Sequence, residues 1–281
     1  PGAILALAMT SPSRSGESEE LPPATREPAY TLDDIENVYQ SHGRDIFPRG
    51  GLNNLRALAH AFEAKYHPHT LRHLLESYFG DTTLDEALTE VIVPAYETVL
   101  RRAFFFKRRG RRRFRMRDVA LATTAAPTYF PPALIRTVPD DGRSYSFIDG
   151  GVFANNPALC GYVEARELMP ERRQFIVLSL GTGITNRRFT YEEIRKWGYL
   201  DWVSPVHGVP LTSMMQDSQS EVVTHQLQLL PEVDVYRINA PLEQVSEEMD
   251  DATPKNLGRI RDKAEEIIER EDATLEKVAR L

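Results

Sequence analysis

The segment Phe175–Leu180 is apolar almost throughout, and that continuity constrains the fold more than any other feature. Such runs suit parallel strands covered on both faces, whereas a half-exposed strand would alternate. Tyr145–Ile148 reads as a second strand, and Val91-Ile92-Val93 is a short β-branched run suited to a third. Between and around them lie helical patterns. Leu32, Ile35 and Tyr39 recur at helical period after Thr31 and Asp34, which have the spacing of a capping box. Leu71, Leu74, Leu75 and Tyr78 share one helical face, and Gly80 is placed to end that helix. Leu211, Met214, Met215, Val222 and Leu229 mark a long helix, and another starts near Thr253-Pro254 and runs through Leu257, Ile260, Ile267 and Ile268. Helices alternating with apolar strands imply an α/β layered fold.

The chemistry concentrates in Phe147-Ile-Asp149-Gly150-Gly151-Val-Phe-Ala-Asn-Asn-Pro157. A strand delivers Asp149 to its carboxyl end, where open α/β sheets place their ligand sites. Gly150 and Gly151 let the chain turn at once and leave space around the carboxylate. Asn156 is expected to cap a helix whose first residue is Pro157. Taken alone, an Asp-Gly-Gly turn has no necessary chemistry.

It is flanked by Ala122-Thr-Thr-Ala-Ala-Pro-Thr-Tyr-Phe-Pro-Pro132 upstream and Leu178-Ser-Leu-Gly-Thr-Gly183 downstream. Together these segments resemble the patatin-like phospholipase family. Tyr30–Phe47, Tyr78-Phe-Gly-Asp81, Val93-Pro-Ala-Tyr96 and Met249–Leu257 agree in order, so the resemblance covers nearly the whole chain. It implies a three-layer fold around a central, mostly parallel sheet, with residues 1–281 forming one patatin-like domain. It also implies hydrolysis of lipid acyl esters, as in phospholipase A or lysophospholipase, by a Ser–Asp dyad without a cofactor, a metal or a catalytic histidine. The resemblance places the dyad aspartate on Asp149. A serine hydroxyl becomes a competent nucleophile when a positioned base accepts its proton.

The departure from the family lies at the nucleophile. Its serine belongs in a Gly-x-Ser-x-Gly elbow, and no such spacing occurs in these 281 residues. Gly2-Ala-Ile-Leu-Ala-Leu-Ala8 resembles the stretch that follows the serine. Gly2 is therefore expected to be the last elbow glycine, with Pro1 next to the missing serine and Ile4–Met9 the buried helix behind it. The expected domain is thus incomplete at its N-terminus, lacking the serine and the glycine-rich oxyanion loop. The competing expectation is a non-catalytic fragment or degenerate homologue that binds lipid or a partner. A third is acyl transfer, in which an alcohol captures the acyl-enzyme.

Other features read as follows. Residues 11–29, rich in Ser, Pro and Glu, suggest a surface loop. Lys107–Arg117 holds eight Lys or Arg residues in eleven. It reads as a solvated turn between Ala103–Phe106 and Phe114–Met116 paired as a hairpin. The alternative is peripheral contact with anionic lipid, with Phe104, Phe105, Phe106 and Phe114 either entering the interface or filling the core. A net charge of −7 argues against nucleic acid as a partner. His67, His69 and His73 lack a further ligand at zinc-like spacing, and Gly181-Thr-Gly183 lacks the rest of a phosphate loop, reading instead as a tight turn. Cys160, the single cysteine, is expected to pack as a small hydrophobe. It fits a reducing, cytoplasmic setting, with a membrane-peripheral location as the alternative.

Overall fold

The computed structural model describes residues 2–13, 27–48, 64–204, 209–246 and 248–281. Pro1 and most of the expected 11–29 loop, residues 14–26, lie outside the described residues. The two ends of that loop pair at Pro12 and Pro28, and Ala29 N–H donates to the Ser11 carbonyl at 2.8 Å. The chain divides into two compact units, 1–153 and 154–281.

The first unit opens with α1 (Gly2–Thr10), whose Leu7 and Ala8 are buried. Helix α2 (Leu32–Ile46) starts on the expected capping box: Thr31 Oγ1 accepts from Asp34 N–H at 3.1 Å, and Asp34 accepts from Thr31 N–H at 2.8 Å. Helix α3 (His69–Phe79) buries Leu71, Leu75 and Phe79 and ends at Gly80. Strands β1 (Ile92–Glu97) and β2 (Arg102–Lys107) form a hairpin across residues 98–101. Helix α4 (Met116–Thr123) is buried along most of its length. Strands β3 (Ala133–Ile135) and β4 (Tyr145–Asp149) complete an antiparallel sheet of order β2-β1-β4-β3. Val93, Phe106, Phe114 and Phe147 fill a core shared with Leu7 of α1 and Leu71 of α3. Phe114 lies edge-on to both Phe104 and Phe106, and Phe105 lies edge-on to Phe153. Phe104, Phe106 and Phe114 are therefore core residues, and Phe105 is half-buried against Phe153.

In the second unit, β5 (Phe175–Leu180) pairs in parallel with β6 (Val233–Ile238). Around this pair the chain forms α6 (Ala158–Leu168), α7 (Tyr191–Ile194), α8 (Tyr199–Val203), α9 (Pro210–Gln228) and α10 (Pro254–Ala279); α5 is the single turn Gly151–Ala154 at the unit boundary. Tyr162, Phe175, Val223 and Leu227 form its core. Thr253 caps α10 by accepting from Asn256 N–H at 3.3 Å. Gly183 has φ +103° and its N–H donates to Asn239 Oδ1 at 2.9 Å, which makes the expected tight turn.

The mixed α/β class matches expectation, with five differences in detail. β5 is not covered on both faces: Phe175 and Ser179 are buried, while Ile176, Leu178 and Leu180 are exposed. Parallel pairing is confined to β5–β6 and one bridge between Ile184 and Pro241, and the other three pairings among the described strands are antiparallel. The hairpin expected between Ala103–Phe106 and Phe114–Met116 does not form. β2 pairs with β1, while Phe114 and Met116 bond to the 82–84 segment through Leu84 N–H and Thr82 O. Helix α6 begins one residue later than expected: Pro157 is its N-cap, and Asn156 Oδ1 accepts from Ala158 N–H at 3.2 Å. On α9, the buried positions are Pro210, Val223 and Leu227, while Leu211, Met215 and Val222, and Leu229 just beyond its end, are exposed.

Candidate active site

Asp149 closes β4, and the reason it stands where it does lies in its neighbours. Phe147, fully buried, anchors the strand against Phe104 and Phe106. Asp149 is opposite Ala95 of β1, and its N–H donates to the Ala125 carbonyl at 3.0 Å. Ala125 belongs to the stretch that follows α4, so the two motif segments read from the sequence meet at the aspartate's own backbone.

One residue later the chain passes unusually close to β1. A Cβ on Gly150 would lie 2.2 Å from the Pro94 carbonyl oxygen and 2.6 Å from its carbon. Glycine is required here by the approach of two backbones, because no side chain fits between them. Pro94 is itself held: its carbonyl accepts from the buried Thr123 hydroxyl at 2.8 Å. A proline inside a strand flanked on both sides is unusual, since it brings no N–H to the ladder. Here the β1–β4 ladder ends at the Ala95–Asp149 pair, just where Pro94 faces the departing Gly150. Pro94 and Thr123 are positioning residues that the motif reading did not single out. The signal was a proline within a β-branched run.

Gly151 N–H donates to Asp149 Oδ1 at 2.7 Å as it starts α5. Oδ2 takes no partner among the described residues. Burial pushes the Asp149 carboxyl above the ordinary aspartate range, and the Gly151 N–H works against that shift. This matters chemically, because an aspartate near its unperturbed pKa of ~3.9 is a weak base at neutral pH. The site raises its affinity for a proton while leaving one oxygen open.

The same shift makes a stability prediction. A carboxyl whose folded pKa lies above its unfolded value stabilises the fold below the unfolded value and loses that contribution as pH rises through the folded one. An asparagine in place of Asp149 would carry no such charge and could still accept the Gly151 N–H. The melting temperature of Asp149→Asn minus that of the parent is therefore expected to be more positive at pH 7 than at pH 4. Thermal melts at both values check this, and a difference that grows toward acid would contradict the burial of the charge.

Gly2 begins α1 and is exposed, and a Cβ there would meet nothing within 4 Å. The described neighbours place no demand for glycine at this position. Helix α1 packs against α2 and α4, so the expected elbow helix and the Asp149 strand share one core.

The basic run is compensated within the first unit. Arg108 and Arg109 both pair with Glu90, at 3.0 and 2.7 Å, and Arg113 pairs with Asp85 at 2.9 Å. Arg115 and Arg117 share Asp81, each at 3.0 Å, and the Arg112 guanidinium lies 5.3 Å from the Tyr145 ring centroid. His69 and His73 stand on the exposed side of α3 with their Nε2 atoms 3.1 Å apart, and His73 Nδ1 lies 3.4 Å from Glu76. Among the described residues no group of three or more His, Cys, Asp or Glu side chains could hold a metal ion. No described helix is long and apolar enough to cross a membrane.

In the second unit Asn156 does more than cap. Its N–H donates to Gln219 Oε1 at 3.0 Å, and its Nδ2 donates to the Ser220 carbonyl and Thr224 Oγ1, both at 3.3 Å, tying α6 to α9. Arg237 donates to Ser179 Oγ at 2.9 Å beside this network. Cys160 is half-buried and its thiol is pushed up by burial, which disfavours the reactive thiolate.

Comparison with known proteins bears on the first unit most directly. The Patatin-like phospholipase family model matches residues 2–159. Patatin-like protein 2 of Oryza sativa subsp. indica is 26% identical, covering 82% of this chain and 60% of its own length. Patatin-like protein 2 of Arabidopsis thaliana is 26% identical over 96% of this chain and 71% of its own length. A Solanum tuberosum protein named Probable inactive patatin-3-Kuras 1 is 30% identical over 73% of this chain and 56% of its own length. The chain thus spans 60% of the length of the first of these relatives. The match over more than half of its residues, running from α1 through the Asp149 turn into α6, shows that the chain belongs to the patatin-like phospholipase family.

Proposed function

We propose that this chain is the aspartate-bearing part of a lipid acyl hydrolase, with Asp149 as the base that takes the proton of an attacking serine. The observation that carries the reading is the Asp149 carboxylate itself. It sits at a strand end, one oxygen is fixed by Gly151 N–H, the other has no partner among the described residues, and its pKa is raised by burial. In the proposed reaction the serine oxygen attacks the ester carbonyl while its proton passes to Asp149. The proton then goes to the departing alcohol; water attacks the acyl-serine with Asp149 again accepting the proton, and the serine–acyl bond breaks as Asp149 returns that proton to the serine oxygen and the acid leaves. The developing oxyanion needs donors already in place, which the glycine-rich loop of the family would supply. Neither that loop nor a Gly-x-Ser-x-Gly spacing occurs in these 281 residues, so both are assigned to sequence outside them.

The 281 residues alone are therefore expected to leave a short-chain nitrophenyl ester at its uncatalysed rate and to take no fluorophosphonate label. The same chain joined to a preceding glycine-rich loop and Gly-x-Ser, so that the elbow is completed at Gly2, is expected to gain both. Serine-dependent turnover by the 281 residues would overturn the assignment of the nucleophile. Correctly folded joined protein without turnover would favour a non-catalytic role, the reading to which the name of the potato relative lends support.

A further inference from the structure

Both tryptophans of the chain fall within one stretch of the second unit, residues 187–204. Trp197 lies edge-on to Phe189 and to Trp202, each with ring centroids 5.2 Å apart. Around this aromatic cluster the apolar residues are turned outward: Tyr191 is 73% exposed, Tyr199 82% and Leu200 76%. Helix α8, which carries the last two, packs on α9, whose first turns present exposed Leu211 and Met215. Single exposed hydrophobics need no explanation, but a cluster of this size marks a binding surface.

The chemistry of the cluster selects its partner. Trp and Tyr rings prefer the boundary between hydrocarbon and head groups, and aliphatic side chains beside them can enter the acyl layer. The cations match a phosphate layer. Residues 187–203 hold four cations against three acids in a chain of net charge −7. Arg187 stacks on the Phe189 ring at 5.3 Å, and no carboxylate lies within 4.0 Å of Arg188 or Lys196 among the described residues. The Lys107–Arg117 run differs on both counts, with five of its eight cations ion-paired against Arg195 alone of the four here, and with Phe104, Phe106 and Phe114 in the core. The geometry points to residues 187–204, with the first turns of α9, as the surface by which this chain docks on a phospholipid interface.

This inference rests on the lipid-hydrolase reading for its biological sense, but its test requires no catalysis. Because the two tryptophans lie inside the proposed surface, their emission reports docking directly. Phosphatidylcholine vesicles containing phosphatidylserine are expected to shift the parent chain's emission to the blue and to carry the chain down on sedimentation. Brominated phosphatidylcholine in the vesicles is expected to quench the emission. Tyr199→Ser/Leu200→Ser alters two outward-facing side chains and should leave circular dichroism unchanged. It is expected to weaken vesicle binding by about tenfold or more, from the apolar area withdrawn. Arg111→Ser/Arg112→Ser is expected to bind as the parent does.

Absence of a blue shift in the parent, equal binding by the Tyr199/Leu200 variant, or loss of binding only in the Arg111/Arg112 variant would each overturn the assignment. So would a parent dimer that the Tyr199/Leu200 variant dissolves, since the cluster would then join two copies of the chain. Vesicle binding without ester turnover in the joined protein would remove the hydrolase reading and keep the docking surface. Turnover of a soluble ester without vesicle binding would do the reverse.

Discussion

Asp149→Asn, made in the protein that carries the completed serine elbow, is expected to lower ester turnover by about 10²–10⁴-fold, the usual range for loss of a general base. At roughly 1.36 kcal/mol per decade this corresponds to about 2.7–5.4 kcal/mol of transition-state stabilisation. The fold should persist. Asn keeps an oxygen for the Gly151 N–H, now 2.7 Å from Oδ1, and the backbone bond to Ala125 O does not involve the side chain. Asp141→Asn is the control. Asp141 is exposed, accepts the Tyr145 hydroxyl at 2.7 Å, and has no place at the site, so its variant should stay within a few-fold of the parent. Steady-state kinetics with matched circular dichroism decides the matter. Activity of Asp149→Asn within a few-fold of the parent would make the carboxylate a turn residue and nothing more.

Gly150→Ala is expected to be the most damaging single methyl group that can be added to the first unit. The new Cβ would meet Pro94 at three atoms, its carbonyl oxygen at 2.2 Å, carbonyl carbon at 2.6 Å and Cβ at 2.9 Å. None belongs to a flexible side chain. Pro94 is paired on one side with Phe105 of β2 and held on the other by Thr123, so relief requires β4 to part from β1. Overpacking of a well-filled site typically costs ~1–3 kcal/mol, and this contact should reach or exceed the top of that range. Gly161→Ala supplies the contrast. Gly161 lies inside α6 with nothing within 4 Å of a Cβ, so alanine should stabilise by up to ~1 kcal/mol through helix propensity. Urea unfolding midpoints of the two variants should therefore move in opposite directions, and a Gly150→Ala midpoint equal to the parent's would refute the close approach.

The strand-turn-helix that carries Asp149 was legible because its signals are local: a short apolar run, two glycines, then Asn and Pro. What holds the aspartate was not. Ala125 O, Pro94 and Thr123 come from segments far away in sequence, and only the β1–β4 register brings them to the turn. Periodicity also has a limit visible on α9. Leu211, Met215, Val222 and Leu229 recur at helical spacing, but so do Val223 and Leu227, and only the latter pair is covered. A period announces a stripe without saying which stripe meets a neighbour. Strand β6 was overlooked although Val233, Val235 and Tyr236 carry a β-prone pattern. The capping box of Thr83 and Glu86 was also overlooked, though it has the same spacing as the one read at Thr31.

The compensation of the basic run has a consequence for how this surface responds to the loss of a charge. Glu90 serves two arginines and so does Asp81, while each of those arginines has a replaceable neighbour. Losing one cation leaves its acid still neutralised by the other, and exposed pairs of this kind are worth ~1 kcal/mol or less. Losing Glu90 strips Arg108 and Arg109 of a shared counter-charge, whereas after loss of Asp81 Arg115 still has Asp118 at 3.9 Å. The pairing is thus lopsided: Glu90→Gln is expected to cost more stability than removal of Arg108 or Arg109 alone, which urea unfolding midpoints would check. In a segment whose composition advertises its positive charges, the acids outside it set how much of that charge is left unpaired.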